Sequence, residues 1–528
     1  MRRWFKIINL FAGLACLVGC SGKKENTLRV NIGGEPHTLD PRKARDLQSM
    51  TLAKMFFEGL TRLNPEELAE FAMAEKVDIS SDGKTYTFTL RPAIWSDKTP
   101  LTAHDFVYAW RKVLHPHFPS DQAFQMYAIK NSKAAKEGKV SVEEVGIKAI
   151  DDHTLQVELL YPVPYFLELT ALPIFFPISQ KLDETNHHWA SDSKTIVGNG
   201  PFILKEWKHN DYLRMIKNPS YWDMPQVNLK EIELVMVSEE TEIKMFERGE
   251  LDWAGSPLSA LPVGALAELK KKGQLQVKPF LATYFFRINV ESEPFQNPHM
   301  RKAFAMAIQR NDIVEHVTQG GQQIATSLLP PSLGVQEKPY FTDGDLAAAQ
   351  QEFHTALQSL ELTKETLPPI SLMYIAGERN HLIAQAVQEQ WREAIGVTVA
   401  LHAVERKVFY DRTSKKNFQL AAGSWTADFN DGMNFLEVFK FKAGSSNNTA
   451  WENPHYRELL DQALEVKEMG ERKQLFQECE SILMQEMPII PLFHYTLLYV
   501  ANKKVKNVVL SNLGSIDFKW AYLDEGNQ

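Results

Sequence analysis

Short alternations of apolar and polar residues recur along the chain and predict β-strands. Between residues 85 and 90, for example, every second side chain is apolar, which places Tyr86, Phe88 and Leu90 on one face of a strand. The strand candidates found in this way are 85–90, 155–159, 397–404, 418–422 and 505–510.

Helical periodicity interleaves with these strands. Thr102 can cap a helix that carries Phe106 and Trp110 on one apolar stripe, with an acidic residue placed to complete a capping box. Asn297 and Asn453 each precede a proline, which is the pattern of an N-cap followed by Pro at the first helical position. The mixture predicts an α/β protein with mixed sheet topology.

The N-terminus has the pattern of an export signal. A basic start is followed by an apolar stretch over 7–18, which is too short to span a bilayer. The residues Leu17-Val18-Gly19-Cys20 are similar to a bacterial lipobox. We therefore expect a signal peptide over 1–19, a lipid on Cys20 and a polar tether over 20–27. The alternative is a plain secretory peptide with an accidental cysteine.

Composition narrows the class of protein. The chain has 528 residues, a hydrophobic fraction of 44% and a net charge of −8, so we expect two or three soluble domains. An acidic balance argues against a nucleic-acid partner. Three cysteines are too few for a disulfide scaffold. Of these, Cys479 lies in a helical pattern and is predicted to be a buried core thiol.

Catalytic signatures are missing from the sequence. It contains no GxSxG, HExxH, GxxxxGK[ST] or strand-linked GxGxxG motif. His187 and His188 are adjacent, and adjacent ligands rarely face one metal, so we interpret them as a surface loop. We expect a binding protein rather than an enzyme, with no catalytic residues, no metal site and no cofactor.

A series of motifs follows in one order along the chain. They are EPHTLDP at 35–41, WSD at 95–97, NGPF at 199–202, NPSYW at 218–222, WTADFND at 425–431 and SSNNTA at 445–450. The series resembles family 5 of the bacterial extracellular solute-binding proteins. Within that family it is most similar to the periplasmic oligopeptide-binding proteins of ABC importers.

The resemblance implies a periplasmic-binding-protein-like clamp of two lobes (type II, cluster C), with mixed sheets and an extra inserted domain. Segments near Phe280–Tyr284 and near Tyr495 would form the hinge. The implied divisions are domain I at 28–57, 183–280 and 497–528, domain II at 58–182, and domain III at 281–496.

The resemblance also implies a binding site for oligopeptides in the cleft between lobes. Asp428 matches the family's aspartate that pairs with the peptide α-ammonium, and a charge-assisted bond of this kind is strong in a closed cleft. Trp425 would shape the wall, and Asn447 would supply a polar contact. Backbone groups would bind the peptide as an added strand; they belong to Gly423, Ser424, Thr426 and Ala427.

Some positions depart from the family's pattern. Arg406 stands where the best-known receptors carry a cleft tryptophan, and Thr413 and Ala422 stand where they carry arginine. Asn380 replaces a histidine used for longer peptides. Arg406 is either a relocated contact for a ligand anion or an exposed surface arginine. These departures bear on peptide length and side-chain preference.

The implied partners are an oligopeptide, the permease subunits of an ABC importer and the membrane that holds the lipid anchor. The chain would be a monomer in the periplasm or on the outer cell surface. Alternatives with the same fold are receptors for murein peptides, nickel or haem, and alternatives of another class are an exported hydrolase or an adhesin.

Overall fold

The computed structural model describes residues 26–336, 338–444, 446–466 and 468–524. The predicted signal peptide, Cys20 and most of the tether lie outside the described residues. No helix in the described ranges is both long enough and apolar enough to cross a membrane.

The described strands are numbered in chain order. They are β1 Thr27–Asn31, β2 Thr61–Leu63, β3 Ala69–Phe71, β4 Ala74–Ile79, β5 Thr85–Leu90, β6 Ala93–Ile94, β7 Pro100–Leu101, β8 Ile147–Asp151, β9 Thr154–Glu158, β10 Phe202–Lys208, β11 Tyr212–Lys217, β12 Glu231–Val235, β13 Trp253–Gly255, β14 Gln276–Ile288, β15 Gln323–Ile324, β16 Ser371–Ile375, β17 Ala400–Val404, β18 Leu420–Thr426, β19 Ile489–Ala501, β20 Val505–Lys506, β21 Val509–Leu510, β22 Ile516–Asp517 and β23 Tyr522–Leu523.

The α-helices are numbered in the same way. They are α1 Leu47–Phe56, α2 Ala103–Leu114, α3 Ser132–Lys136, α4 Phe166–Leu169, α5 Gln180–Thr185, α6 Glu239–Glu247, α7 Val263–Lys271, α8 Pro298–Met306, α9 Arg310–Asp312, α10 Leu346–Ser359, α11 Glu378–Ile395, α12 Arg406–Ser414, α13 Met433–Leu436, α14 Pro454–Glu465 and α15 Met469–Glu486.

The sequence patterns located several of these elements. Strand β5 spans the predicted 85–90, with Tyr86, Phe88 and Leu90 buried. Helices α2, α8 and α14 begin at the three predicted N-caps, and the capping box of α2 is present. Three predictions were less accurate. Strand β17 begins at Ala400 rather than at 397. Strand β18 continues to Thr426 rather than ending at 422, and the stretch 505–510 forms two short strands.

One large mixed sheet runs through the molecule, in the order β10-β11-β12-β1-β13-β19-β14-β18-β16-β17, with β15 paired to β19. A separate four-stranded sheet, β4-β5-β9-β8, belongs to the segment between residues 74 and 158. The α/β class and the mixed sheets expected from the sequence are confirmed.

Two large apolar cores flank the centre of this sheet. The first core collects residues from 28 to 258 and from 497 to 521, together with Phe429. The second core collects residues from 281 to 493. The chain therefore packs around two centres, and the early and late segments share one of them.

Strands β14 and β19 are each 13 residues long and pass from one core to the other. Their antiparallel ladder is irregular between Pro279 and Thr283. This irregularity coincides with the two chain crossings expected near Phe280–Tyr284 and Tyr495. That the lobes turn about it stays a prediction.

A buried hydrogen bond joins β14 and β19 beside this irregularity. The hydroxyl of Thr283 donates to the carbonyl oxygen of Leu328 at 2.7 Å, so it accepts from Nδ1 of His494 at 2.9 Å. His494 is 3% exposed, and burial lowers its pKa to about 3. The imidazole is therefore neutral at the junction of the two strands.

We expect this buried histidine to weaken the fold in acid. The unfolded chain protonates His494 near its ordinary pKa of about 6.5, whereas the folded chain does so only near 3, so its contribution to stability falls as the pH drops through that window. The measurement is the pH dependence of Tm for wild type and His494→Gln. The wild type should lose more Tm than the variant between pH 6.5 and 4, and parallel curves would contradict this expectation.

Candidate binding site

A cleft of about 800 Å³ separates the segment around residues 124–169 from the segment around residues 425–465. One wall carries Phe124, Gln125 and Tyr161. The other wall carries Trp425, Asp428 and Glu437. The cleft therefore lies between the inserted sheet region and the second core.

Strand β18, whose Trp425 lines this cleft, has an open edge. In its ladder with β14, the amide of Ala427 donates to Leu281 and the amide of Asn289 donates to the carbonyl of Gln419, so the odd-numbered residues of β18 bond to β14. The even-numbered residues face the other way. There, β16 pairs with β18 only as far as Ala421. The main-chain groups of Ser424 and Thr426 thus face the open side.

Asp428 lies two residues beyond the end of β18. Burial raises the pKa of its carboxyl, and the neighbouring side-chain amides of Gln125 and Asn434 oppose this shift. No lysine or arginine forms an ion pair with it in the described part of the chain. The site therefore holds a carboxylate that has hydrogen-bond donors but no positive partner.

Sequence reasoning missed the two side chains that position Asp428. Asn434 is 2% exposed, and its Oδ1 accepts from Nε1 of Trp425 at 2.9 Å and from the amide of Asp428 at 3.4 Å. Gln125 reaches Asp428 from the opposite wall. Gln125 lies some 300 positions away in the chain, so local pattern carries no signal for this contact.

The walls touch each other beside Asp428. The rings of Tyr165 and Phe429 stack with centroids 4.2 Å apart and planes 12° apart. The guanidinium of Arg472 lies 5.8 Å from the Tyr165 ring and forms a buried ion pair with Asp431. An aromatic contact thus joins the two sides at the inner end of the cleft.

Glu437 is a second carboxylate on the cleft wall. Its surface is in contact with water, but protein atoms crowd its carboxyl. This partial desolvation raises the pKa of Glu437 to about 7. Lys440 opposes this shift, while Asp431 and Asp428 add to it. Positive side chains therefore do not balance all the carboxylates on this wall, and this favours a positively charged group on the ligand.

The other predicted site residues fall in different places. Of the four predicted main-chain contacts, Ser424 and Thr426 face the open edge of β18, whereas Gly423 and Ala427 direct their main-chain groups to β14, so the prediction is wrong for these two. Asn447 is fully buried, and its amide bonds the main chain of Phe441 and Trp451 and accepts from Thr449.

Arg406 lies on the protein surface. It is exposed at the first residue of α12, and its side chain makes no hydrogen bond or ion pair with the described residues. Within the same residues, no group of three or more His, Cys, Asp or Glu side chains is arranged to hold a metal ion.

Comparison with known proteins identifies the family. The model of the bacterial extracellular solute-binding proteins, family 5 Middle, matches residues 70–447. The chain belongs to this family.

Individual relatives match nearly the whole chain. The oligopeptide-binding protein OppA of Bacillus subtilis is 41% identical over 512 residues, covering 95% of this chain and 94% of its own. A murein tripeptide-binding protein MppA in an unliganded open form superimposes with a TM-score of 0.82 at 29% identity, covering 95% of this chain and 98% of that one. OppA of Haemophilus influenzae in complex with the peptide RPPGFSPFR has a TM-score of 0.76 at 27% identity, covering 95% and 100%.

These findings confirm the family and the fold class expected from the sequence. Members of the family are extracellular solute-binding proteins, and the relatives named here are oligopeptide- or murein-peptide-binding proteins. The cleft described above is therefore part of a periplasmic-binding-protein fold.

We expect Phe429→Ala to loosen the contact between the cleft walls. The variant loses an aromatic pair worth about 0.5–1.5 kcal/mol and also the buried area of Phe429, so local opening should become at least about fivefold more frequent. The measurement is amide hydrogen exchange over residues 161–169. Phe441→Ala is the matched control, because Phe441 is 49% exposed and takes no part in the Tyr165 stack. Equal exchange in the two variants would contradict the role of the stack.

Proposed function

We propose that this protein is a lipid-anchored receptor that captures oligopeptides for an ABC importer. The observation that carries the proposal is the open edge of β18, which ends at a carboxylate without a positive partner. A peptide offers the complement of that arrangement, since it has an α-ammonium at one end and a hydrogen-bonding backbone along its length.

Asp428 is the proposed ammonium site. Its position in the cleft raises its pKa, so the ionised form gains most from a cation that enters with the ligand. Charge-assisted hydrogen bonds are stronger than neutral ones, and they gain further when closure excludes water. Asn434 and Gln125 would orient the carboxylate from the two walls.

The main chain of β18 is the proposed backbone site. Ser424 and Thr426 face the open edge, and an extended peptide would pair there as a further strand. Recognition of this kind reads the peptide backbone and not its side chains. It therefore suits a receptor that accepts many sequences.

The cleft volume supports broad specificity. About 800 Å³ leaves room for side chains and for water molecules that adapt to them. Trp425, fixed by its bond to Asn434, would form one wall. Asn447 is not part of the proposed contact, because its amide groups already bond within its own loop.

The lobes of the proposed clamp are the sequence-derived domains. Domain I would comprise 28–57, 183–280 and 497–528, domain II 58–182, and domain III 281–496. The two apolar cores support the separation of domain III from the rest. Closure would turn domain III about the irregular part of the β14–β19 ladder. Lipid on Cys20 would hold the receptor at the membrane.

We expect Asp428→Asn to weaken binding of tetra-alanine by about 10- to 100-fold, because a hydrogen bond to a charged group is worth about 1.5–3 kcal/mol. N-acetylated tetra-alanine, which has no ammonium, should lose little. Calorimetric titration measures both. Asp411→Asn, a surface carboxylate paired with Lys415, is the matched control and should bind like wild type.

Two further readouts belong to this test. Wild-type affinity should fall as the pH is lowered through the raised pKa of Asp428, and Asp428→Asn should lack that component. Equal loss for both peptides in the variant would refute the ammonium role. The bound peptide should be recovered intact, and a cleaved peptide would identify a hydrolase instead.

A further inference from the structure

An arginine side chain crosses β18 at its only glycine. Arg287 lies on β14, and the next residue on the same face, Phe285, pairs with Gly423 of β18. A Cβ atom on Gly423 would lie 1.5 Å from Nη1 of Arg287 and 2.7 Å from its Cζ. The guanidinium therefore occupies the space that a side chain at position 423 would fill.

The guanidinium extends to the open edge of β18. Its Nη2 donates to the carbonyl oxygen of Ser424 at 3.2 Å. Ser424 is an even-numbered residue, so this carbonyl faces away from β14 and towards the open side. Arg287 thus spans from the neighbouring strand to the edge where an added strand would lie.

Arg287 has no anionic partner among the described residues. Its other close neighbour is the ring of Phe285, whose centroid lies 5.0 Å from its Cζ. Burial lowers its pKa to about 10, and the nearby Tyr410 and Tyr284 offset this only in part. The side chain is half-buried, and a partly buried cation without a counter-charge gains when an anion enters with a ligand.

Other enclosed arginines in the chain are compensated. Arg42, Arg62 and Arg472 each pair with a carboxylate. Arg301 has no ion pair but donates to three main-chain carbonyls. Among the described residues Arg287 donates to a single carbonyl, so most of its five donors have no protein acceptor there.

We propose that Arg287 binds a carboxylate of the ligand beside Ser424, where Gly423 leaves room for the guanidinium. This inference rests on the proposed peptide function and deepens it. The planar guanidinium can hold a carboxylate with two parallel hydrogen bonds, which an ammonium cannot do. Arg406, for which the sequence left open either an anion contact or a surface position, is exposed at the start of α12.

The spacing sets the peptide length. Ser424 precedes Asp428 by four residues, and because β18 ends at Thr426 the span is at most the roughly 13 Å of a fully extended chain. A peptide with its ammonium at Asp428 brings its third or fourth residue to Arg287. The carboxylate is then the C-terminus of a tri- or tetrapeptide, or an acidic side chain in a longer peptide.

The test is calorimetric titration of the full-length protein with matched peptides. Tri- and tetra-alanine are compared with their C-terminal amides, and amidated hexa-alanine is compared with versions that carry Glu or Gln at position 4. Wild type should prefer the carboxylate by about 10-fold or more in at least one of these pairs. The pair that shows the preference identifies the source of the carboxylate.

Arg287→Met should abolish that preference, while the amidated peptides still bind. Gly423→Ala keeps the arginine but displaces its guanidinium, so it should have the same effect and serves as the test if Arg287→Met does not fold. Arg412→Met, an exposed arginine on α12, is the control and should keep the preference.

Three results would overturn the inference. They are a wild type without any carboxylate preference, an Arg287→Met variant that keeps the preference, and loss of the preference in Arg406→Met instead. Failure of the proposed function has a different signature, because then neither acids nor amides with a free ammonium bind to wild type.

Discussion

The phase of the hydrogen-bond ladder between β14 and β18 is the constraint on which the binding site depends. Because odd-numbered residues of β18 bond to β14, Ser424 and Thr426 must direct their main-chain groups to the opposite edge. A shift of one residue would exchange the two sets and point Trp425 away from Asn434. Strand β14 is itself held by the 13-residue β19, so the site and the junction between cores share one strand.

The charges along this open edge complement a peptide. Asp428 stands at one end without a cation, and Arg287, without an anion, donates to the carbonyl oxygen of Ser424 four residues earlier. Each group is partly buried and gains when an opposite charge enters with a ligand, and each has donors or acceptors in place to hold it in position. A zwitterionic ligand would supply both missing charges at once, whereas side-chain pockets need contribute little.

Local sequence patterns predicted the strands and helices that are defined by neighbouring residues in the chain. Strand β5 and the N-caps of α2, α8 and α14 follow from alternation and capping chemistry. The resemblance also led to Asp428 and its strand. Gln125 and Arg287 could not be found this way, because their roles come from contacts across the cleft and across strands. Asn447 is the opposite case. It lies in a motif that matches the family, but its side chain bonds within its own loop.

The most direct test of the account is a crystal structure of the protein with tetra-alanine. The account predicts that the peptide lies between the two walls of the cleft, with its α-ammonium nitrogen within about 3 Å of the Asp428 carboxylate. Its backbone should pair with Ser424 and Thr426 as an added strand. A peptide bound with its ammonium elsewhere, or without strand pairing to β18, would contradict the account.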